Sequence, residues 1–354
     1  MNDQENNVLN IKKIDIKSLT FGQLKSFISS IEEKPFRAEQ IYTWLHKNQV
    51  DTFDQMTNLS KELRNKLVKK CDLVSMEPVE IQTSKTDGTK KYLFALSDGN
   101  VIESVWMKYK HGNSVCISSQ AGCRMGCKFC ASTVDGLVRS LTPSEMLEQI
   151  YQIQKETGER VSHVVVMGSG EPFDNLENLL VFIELLSSEM GQNISQRNIT
   201  VSTCGLVPEI KELADKKLQI TLAISLHAAQ QEKRRMLMPI ANKYDLSELM
   251  DACKYYFEQT GRRITFEYSL IAGENDSSED ARLLGKLIKG INCHVNLIPV
   301  NPIKERDFRQ SKQEAVDRFK NKLEKYGINV TIRREMGRDI DGACGQLRKR
   351  FLER

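Results

Sequence analysis

The sequence predicts an α/β protein: a partial (βα)6, TIM-like barrel, preceded by a small helical domain and a β-hairpin extension. Three observations carry that expectation. Short apolar runs recur at 115–119 (VCISS), 163–168 (HVVVMG), 198–203 (NITVST), 220–226 (ITLAISL), 264–270 (ITFEYSL) and 294–300 (HVNLIPV). Most are followed by a helical stretch, as at 143–155, 175–190, 246–259 and 277–289. Near-continuous apolar strands alternating with amphipathic helices belong in a parallel sheet covered by helices. The unusual residues fall just past the strands. A cysteine cluster follows the first and Gly168-Ser169-Gly170-Glu171-Pro172 the second, Ser202 ends the third, Ser225 and His227 end the fourth, and Asn301 follows the sixth. Parallel α/β folds build their sites at these carboxyl ends. Six units fall short of the eight that close a barrel, and pattern alone also admits an open doubly wound sheet.

Residues 1–75 read as the helical domain, because Leu24, Phe27 and Ile28, then Ile41, Trp44 and Leu45, then Leu63, Leu67 and Val68 repeat at three- and four-residue spacing. Over 76–108 the pattern becomes alternating and β-branched, with a hairpin turn signal at Thr86-Asp87-Gly88. The barrel is expected over 109–345, where a seventh strand (328–334) follows a last amphipathic helix, and a basic tail over 346–354.

Composition narrows the class. Hydrophobic residues make up 40% and charged residues 28% of 354, with no apolar run of about 18 that could span a bilayer. The polar opening MNDQENNVLN lacks a secretory layout, so a cytoplasmic location is expected, where disulfide scaffolds are rare. The net charge of +4 says little, but 61–70 (KELRNKLVKK) and 348–354 (RKRFLER) are locally basic. Such runs serve as phosphate contacts or as ordinary solvated helix faces.

Of nine cysteines, three crowd into Cys123-Arg-Met-Gly-Cys127-Lys-Phe-Cys130. Three thiolates at this C-x3-C-x2-C spacing suit an iron–sulfur cluster, copper(I) or zinc. A structural zinc site would need a fourth ligand nearby, and His111 and His163 are distant in sequence. Taken alone, Cys116 reads as a core thiol in an alternating strand, His227 as either a core histidine or a ligand contact, and Glu103 as an ordinary strand carboxylate.

The cysteine spacing after a first barrel strand resembles the radical S-adenosylmethionine (SAM) superfamily. Longer stretches resemble its RlmN/Cfr family of RNA methyltransferases: Cys116-Ile-Ser-Ser-Gln-Ala-Gly-Cys123, Ser225-Leu226-His227, Leu237-Met-Pro-Ile240, His294-Val-Asn-Leu-Ile-Pro299 and Asp339-Ile-Asp-Gly-Ala-Cys344. Ala131-Ser-Thr133, Pro172-Phe173 and Ile332-Arg-Arg334 look like the RlmN branch. Ser169, Cys204 and Gly342 stand where other residues are common.

The resemblance implies that Cys123, Cys127 and Cys130 hold a 4Fe-4S cluster, and that Gly170, Glu171, Ser202, Ser225, Leu226, His227 and Asn301 contact SAM, two molecules of which are used per turnover. Cys344 would carry a methyl group, Cys116 would be its partner thiol, and Glu103 a proton acceptor. The implied reaction methylates C2 of adenine 2503 in 23S rRNA and of adenine 37 in tRNA. That carbon lies between two ring nitrogens and is closed to ordinary electrophilic methyl transfer. By the same resemblance, Cys344 takes a methyl from one SAM, a second SAM yields a radical that activates it, and attack by Cys116 on the Cys344 sulfur releases product and leaves a transient disulfide. Partners would be 23S rRNA, tRNA and an external flavodoxin-like or ferredoxin-like electron donor, with no membrane and the chain acting as a monomer. The basic first domain and Lys85, Lys90 and Lys91 are candidate RNA contacts. Three rival readings stand beside this one: C8 methylation as in Cfr, a radical SAM enzyme acting on a protein or small molecule, and a zinc-stabilised RNA-binding protein without catalysis.

Overall fold

The computed structural model describes residues 13–301, 307–340 and 346–352, and these form two compact units. The first holds the residues up to Ser75 together with Glu184–Asn193. It contains strand β1 (Ile14–Asp15), helices α1 (Phe21–Ser30), α2 (Phe36–His46) and α3 (Lys61–Lys70), and strand β2 (Cys71–Asp72), which pairs parallel with β1. Helix α1 starts at a capping box in which Thr20 and Gln23 each bond the other's backbone amide, supplying partners for two amides that the helix leaves open. Leu24, Ile28, Ile41, Leu45, Leu63 and Leu67 are buried, so the helical spacing does mark a core, although Val68 is exposed.

His46 at the end of α2 is fully buried against the Tyr42 ring, and its carbonyl accepts from Gln192 Nε2 at 2.5 Å. Burial, with help from Lys17, pushes its imidazole from 6.5 down to about 3. The folded chain therefore refuses a proton that the unfolded chain accepts. Stability from the neutral ring is fully present above pH 6.5 and is lost as pH falls toward 3, at up to about 1.4 kcal/mol per pH unit. Urea titrations at pH 7, 6 and 5 should show stability falling. In His46→Leu the slope should flatten by about one proton; an unchanged slope would mean that His46 is protonated in the fold.

The second unit is organised by a ten-stranded sheet. Its elements, in chain order, are β3 (Glu77–Thr83), β4 (Lys90–Ala95), β5 (Val101–Tyr109), β6 (Gly112–Ile117), β7 (Gln120–Gly122), β8 (Leu137–Ser140), α4 (Pro143–Thr157), β9 (Val161–Val166), α5 (Leu176–Ser187), β10 (Ile199–Thr203), α6 (Val207–Asp215), β11 (Thr221–Ser225), α7 (Gln231–Leu237), α8 (Leu246–Thr260), β12 (Ile264–Leu270), α9 (Ser278–Leu287), β13 (Cys293–Pro299), α10 (Gln313–Glu324), β14 (Asn329–Ile332) and α11 (Gln346–Leu352). The last residues of α5 belong to the first unit.

Strand order is β14-β13-β12-β11-β10-β9-β6-β5-β4-β3. From β6 through β14 every pairing is parallel, which gives six βα units and a seventh strand, as the sequence pattern predicts. Among the described residues β14 and β3 do not pair, so the barrel is partial. Both faces are covered at β12, where all seven residues are buried, whereas β10 and β13 alternate buried with half-buried residues. The helices carry their own start and stop signals. Helix α4 begins at the Thr142/Glu145 capping box with Pro143 in its first turn and ends at Gly158, whose φ of 67° is left-handed. Among the described residues no helix is long and apolar enough to cross a membrane.

Two boundaries differ from expectation. Residues 76–108 are not a separate hairpin: β3, β4 and β5 form an antiparallel meander that continues into the barrel through β6, with Val105 opposite Cys116. The turn from Tyr109 to Gly112 makes that continuation and lies beyond the obvious Thr86-Asp87-Gly88 signal. The presumed basic tail is helix α11 over its described part, and its Leu347 is buried with Leu93 and Val101. Lys91, expected as an RNA contact, is fully buried and ion-paired with Glu103 at 3.1 Å.

Candidate active site

The cysteine segment is a loop pinched at its base. Strands β7 and β8 pair antiparallel on either side of it, and the Cys123 amide donates to the Gly136 carbonyl at 2.8 Å. A side chain on Gly122 would put a carbon 2.1 Å from that oxygen, so only glycine fits. Inside the loop, Thr133 Oγ1 donates to the carbonyls of Cys127 (3.0 Å) and Cys130 (2.9 Å), and the Lys128 amide to Leu237 in α7. Cys123 and Cys127 are buried and Cys130 is half-buried.

All three thiols line one cavity of about 240 Å³ with Gly170, Glu171, Ser202, Ser225, His227 and Asn301. Leu226 stands behind the wall, fully buried, its amide donating to the Glu267 carbonyl at 3.0 Å. The 168–172 turn is locked onto the segment that leads into the cysteines. The Ser169 amide donates to Ser118 Oγ (2.9 Å), the Glu171 amide to Gln120 Oε1 (2.8 Å), and Asn175 Nδ2 to the carbonyls of Ser119 and Leu141. Gly170, at φ 108°, passes so close to Gln120 that an added carbon would lie 2.6 Å from its Cβ. Backbone freedom and close approach both demand glycine there.

The Glu171 carboxylate accepts from the amides of Cys204 (2.7 Å) and Phe173 (3.0 Å). Burial nonetheless raises its pKa, so the charged carboxylate is penalised here and a cation beside it would offset that penalty. Ser202 and Ser225 hydroxyls meet at 3.3 Å across adjacent strands. His227 adopts φ 55°, its Nδ1 accepts from the Ser269 amide at 2.8 Å, and its ring packs edge-on against Phe129 of the cysteine loop at 4.5 Å. With Nδ1 used as an acceptor and burial pushing the imidazole down to about 3, the neutral ring keeps its proton on Nε2 as a donor.

Pattern reading missed several wall residues. Glu267, mid-strand in β12, lines the cavity with its carboxylate bonded to Asn296 Nδ2 at 2.8 Å. Phe129 and Met238 also line it. Glu267 offered one signal, an acid inside an otherwise apolar run.

A second cavity, of about 660 Å³, shares Ile298, Asn301 and Arg333 with the first and is lined further by Cys116, Tyr109, Arg334 and Arg338. Glu103 lines neither. It lies on β5 two residues before Val105, the neighbour of Cys116, and its Oε1 accepts from the Arg348 amide at 2.6 Å. Cys344 lies outside the described residues, but the chain on both sides of it is anchored. Upstream, Asp339 accepts from Ser84 Oγ (2.6 Å) and the Lys85 amide (2.8 Å), and the Gly337 amide donates to Asp87. Downstream, Arg348 bonds Glu103 and the Val101 carbonyl.

The donor set fits a soft-metal cluster. Burial and the neighbouring thiols raise Cys127 well above a normal thiol, and Cys123 rises to about 12, so three thiolates here require positive charge among them. Among the described residues no such trio already converges at single-ion spacing, and the fit rests on donor type and the shared wall.

A parallel partial barrel with three cysteines at the mouth of its first strand defines a radical SAM enzyme, and residues 117–284 match the radical SAM superfamily. Its members use a 4Fe-4S cluster and SAM, which are the cofactors of this chain. Residues 14–73 match the ribosomal RNA large subunit methyltransferase N-terminal domain. The chain is 67% identical over 339 residues to a probable dual-specificity RNA methyltransferase RlmN of Lachnospira eligens, covering 96% of this chain and 97% of that one. It is 60% identical to the Lachnoclostridium phytofermentans protein of the same name, covering 97% and 96%. A radical SAM methyltransferase from Sphaerobacter thermophilus superposes with a TM-score of 0.88 at 40% identity, covering 94% and 98%. The chain belongs to the RlmN family of radical SAM RNA methyltransferases.

Proposed function

We propose that this enzyme methylates C2 of adenine 2503 in 23S rRNA and of adenine 37 in tRNA, in the cytoplasm, with the methyl group carried on Cys344. The observation that carries this reading is the junction of the two cavities: thiols and SAM-type residues line one, Cys116 lines the other, and Asn301 and Arg333 belong to both. When bound, cluster and SAM supply the methyl group and the carbon-centred radical.

The chain's own residues do the rest. Glu171 would receive the ammonium of SAM, while the Ser202 and Ser225 hydroxyls and the His227 Nε2–H would orient its polar edges. Cys344 would accept the methyl as a thiolate. The resemblance makes Glu103 the candidate proton acceptor for the hydrogen leaving the base, although it is ion-paired with Lys91 and lines neither cavity. Attack by Cys116 on the Cys344 sulfur would break the carbon–sulfur bond, release the product and form a disulfide, the surplus electron of the radical adduct having the oxidised cluster as its acceptor; a cellular reductant would reopen the disulfide.

Exposed Arg333, Arg334 and Arg338 rim the second cavity, where phosphates of a splayed RNA strand would lie. The first unit supports RNA binding separately. Phe36 is 51% exposed with the Arg37 guanidinium over its ring, beside a groove lined by Trp44, Asn48 and Asn58. Aromatic faces and amides of this kind take unstacked bases. Lys85 stays a candidate contact, whereas Lys90 is held by Glu156 at 2.8 Å.

Replacing Cys116 with Ala tests the reading. Incubated anaerobically with rRNA, SAM and reductant, that variant should accumulate a covalent protein–RNA adduct on a denaturing gel. Free release of methylated RNA would refute the assigned role of Cys116.

A further inference from the structure

Arg234 in α7 is fully buried. Its Nη2 donates to the carbonyls of Cys204 (2.7 Å) and Ser225 (3.4 Å), and its Nε to Leu226 (3.2 Å), at the ends of β10 and β11. Nη1 is buried with no hydrogen-bond partner among the described residues, and none of their acidic side chains forms an ion pair with this guanidinium. A permanent cation sealed from water without an anion is strongly disfavoured, so the fold must supply negative charge from elsewhere. Its bond to the Cys204 carbonyl places it at the wall of the cavity that the cluster cysteines line, and its positive charge acts on Cys127, Cys253 and His227. Helix α7 also bonds the cysteine loop directly, through the Lys128 amide and the Leu237 carbonyl.

We propose that Arg234 is the built-in counter-charge of the cluster, a positioning residue whose cation stabilises the thiolate-ligated and, more strongly, the reduced form. The proposal rests on the family's cluster being held by Cys123, Cys127 and Cys130. Reduction adds one electron, drawn from a flavodoxin-like or ferredoxin-like donor, to a group that is already negative. A nearby cation raises the reduction potential, because charge and hydrogen bonding around a cluster set that potential. The carbonyl bonds of Arg234 at the same time hold the strand ends that present Ser202 and Ser225.

The test is an anaerobic redox titration of the reconstituted chain, followed by the electron paramagnetic resonance of the reduced cluster, with iron and sulfide counted per chain. Arg234→Gln keeps donors for the carbonyls but loses the charge. Arg234→Lys keeps the charge but loses the fork. The Lys variant should titrate close to the parent, and the Gln variant should show a reduction equilibrium constant lower by about tenfold or more. Iron-loaded Gln and Lys variants with the same midpoint as the parent would overturn the counter-charge role alone. A parent that takes up no iron would overturn the cluster assignment and this proposal with it.

Discussion

Cys344→Ala should abolish RNA methylation, lowering the rate by more than roughly a thousandfold, while iron content and SAM binding stay at parental levels. The substitution removes the thiol that carries the methyl group and nothing that holds the cluster. The described chain on either side is anchored without that thiol, by Asp339 to the β3–β4 turn and by Arg348 to Glu103 on β5. The measurement is incorporation of SAM-derived methyl into rRNA, read beside iron analysis of the same preparation. Residual methylation within tenfold of the parent would mean that the methyl group reaches the base by another route.

Cys127→Ser should cost the cluster itself. Cys127 is buried and lines the same cavity as Cys123 and Cys130, and serine offers a hard oxygen where soft thiolate is wanted. Iron after reconstitution should fall from about four per chain toward zero, with the visible absorbance lost and methylation gone. The near-isosteric change keeps the loop's backbone bonds from Thr133 and Lys128, so thermal unfolding should shift little. A variant retaining four irons would show that Cys127 is not a ligand.

The two variants separate the site into a part that makes the radical and a part that carries the carbon. They also mark how far the sequence could be read. The strands were legible because they are rich in buried apolar and β-branched residues, as in 161–166 and 264–270, the latter buried along its whole length. Carboxyl-end placement then brought Gly170, Glu171, Ser202, Ser225, His227 and Asn301 to one cavity with the cysteines.

What stayed hidden had no periodic signature. Helix α7, QEKRRML, looks like a solvated charged turn, yet Arg234 in it is wholly buried, because the carbonyl ends of three distant residues satisfy most of its donors. Lys91 looked like a surface cation for the same reason; only the fold reveals Glu103 opposite it and α11 closing that face. Strands β7 and β8 are too short to register, although they define the cysteine loop. Glu267 was an acid inside an apolar run, a signal visible only once that run is known to border a cavity.

The role of Cys344 rests on resemblance and on its two anchors. The chemistry at adenine is therefore best asked of the RNA. Nucleoside mass spectrometry of 23S rRNA and tRNA from cells lacking this gene, and from the same cells with it restored, is the most direct measurement. The expected result is 2-methyladenosine absent without the gene and present with it. Unchanged 2-methyladenosine, or loss of 8-methyladenosine instead, would contradict the assignment to C2 of adenine.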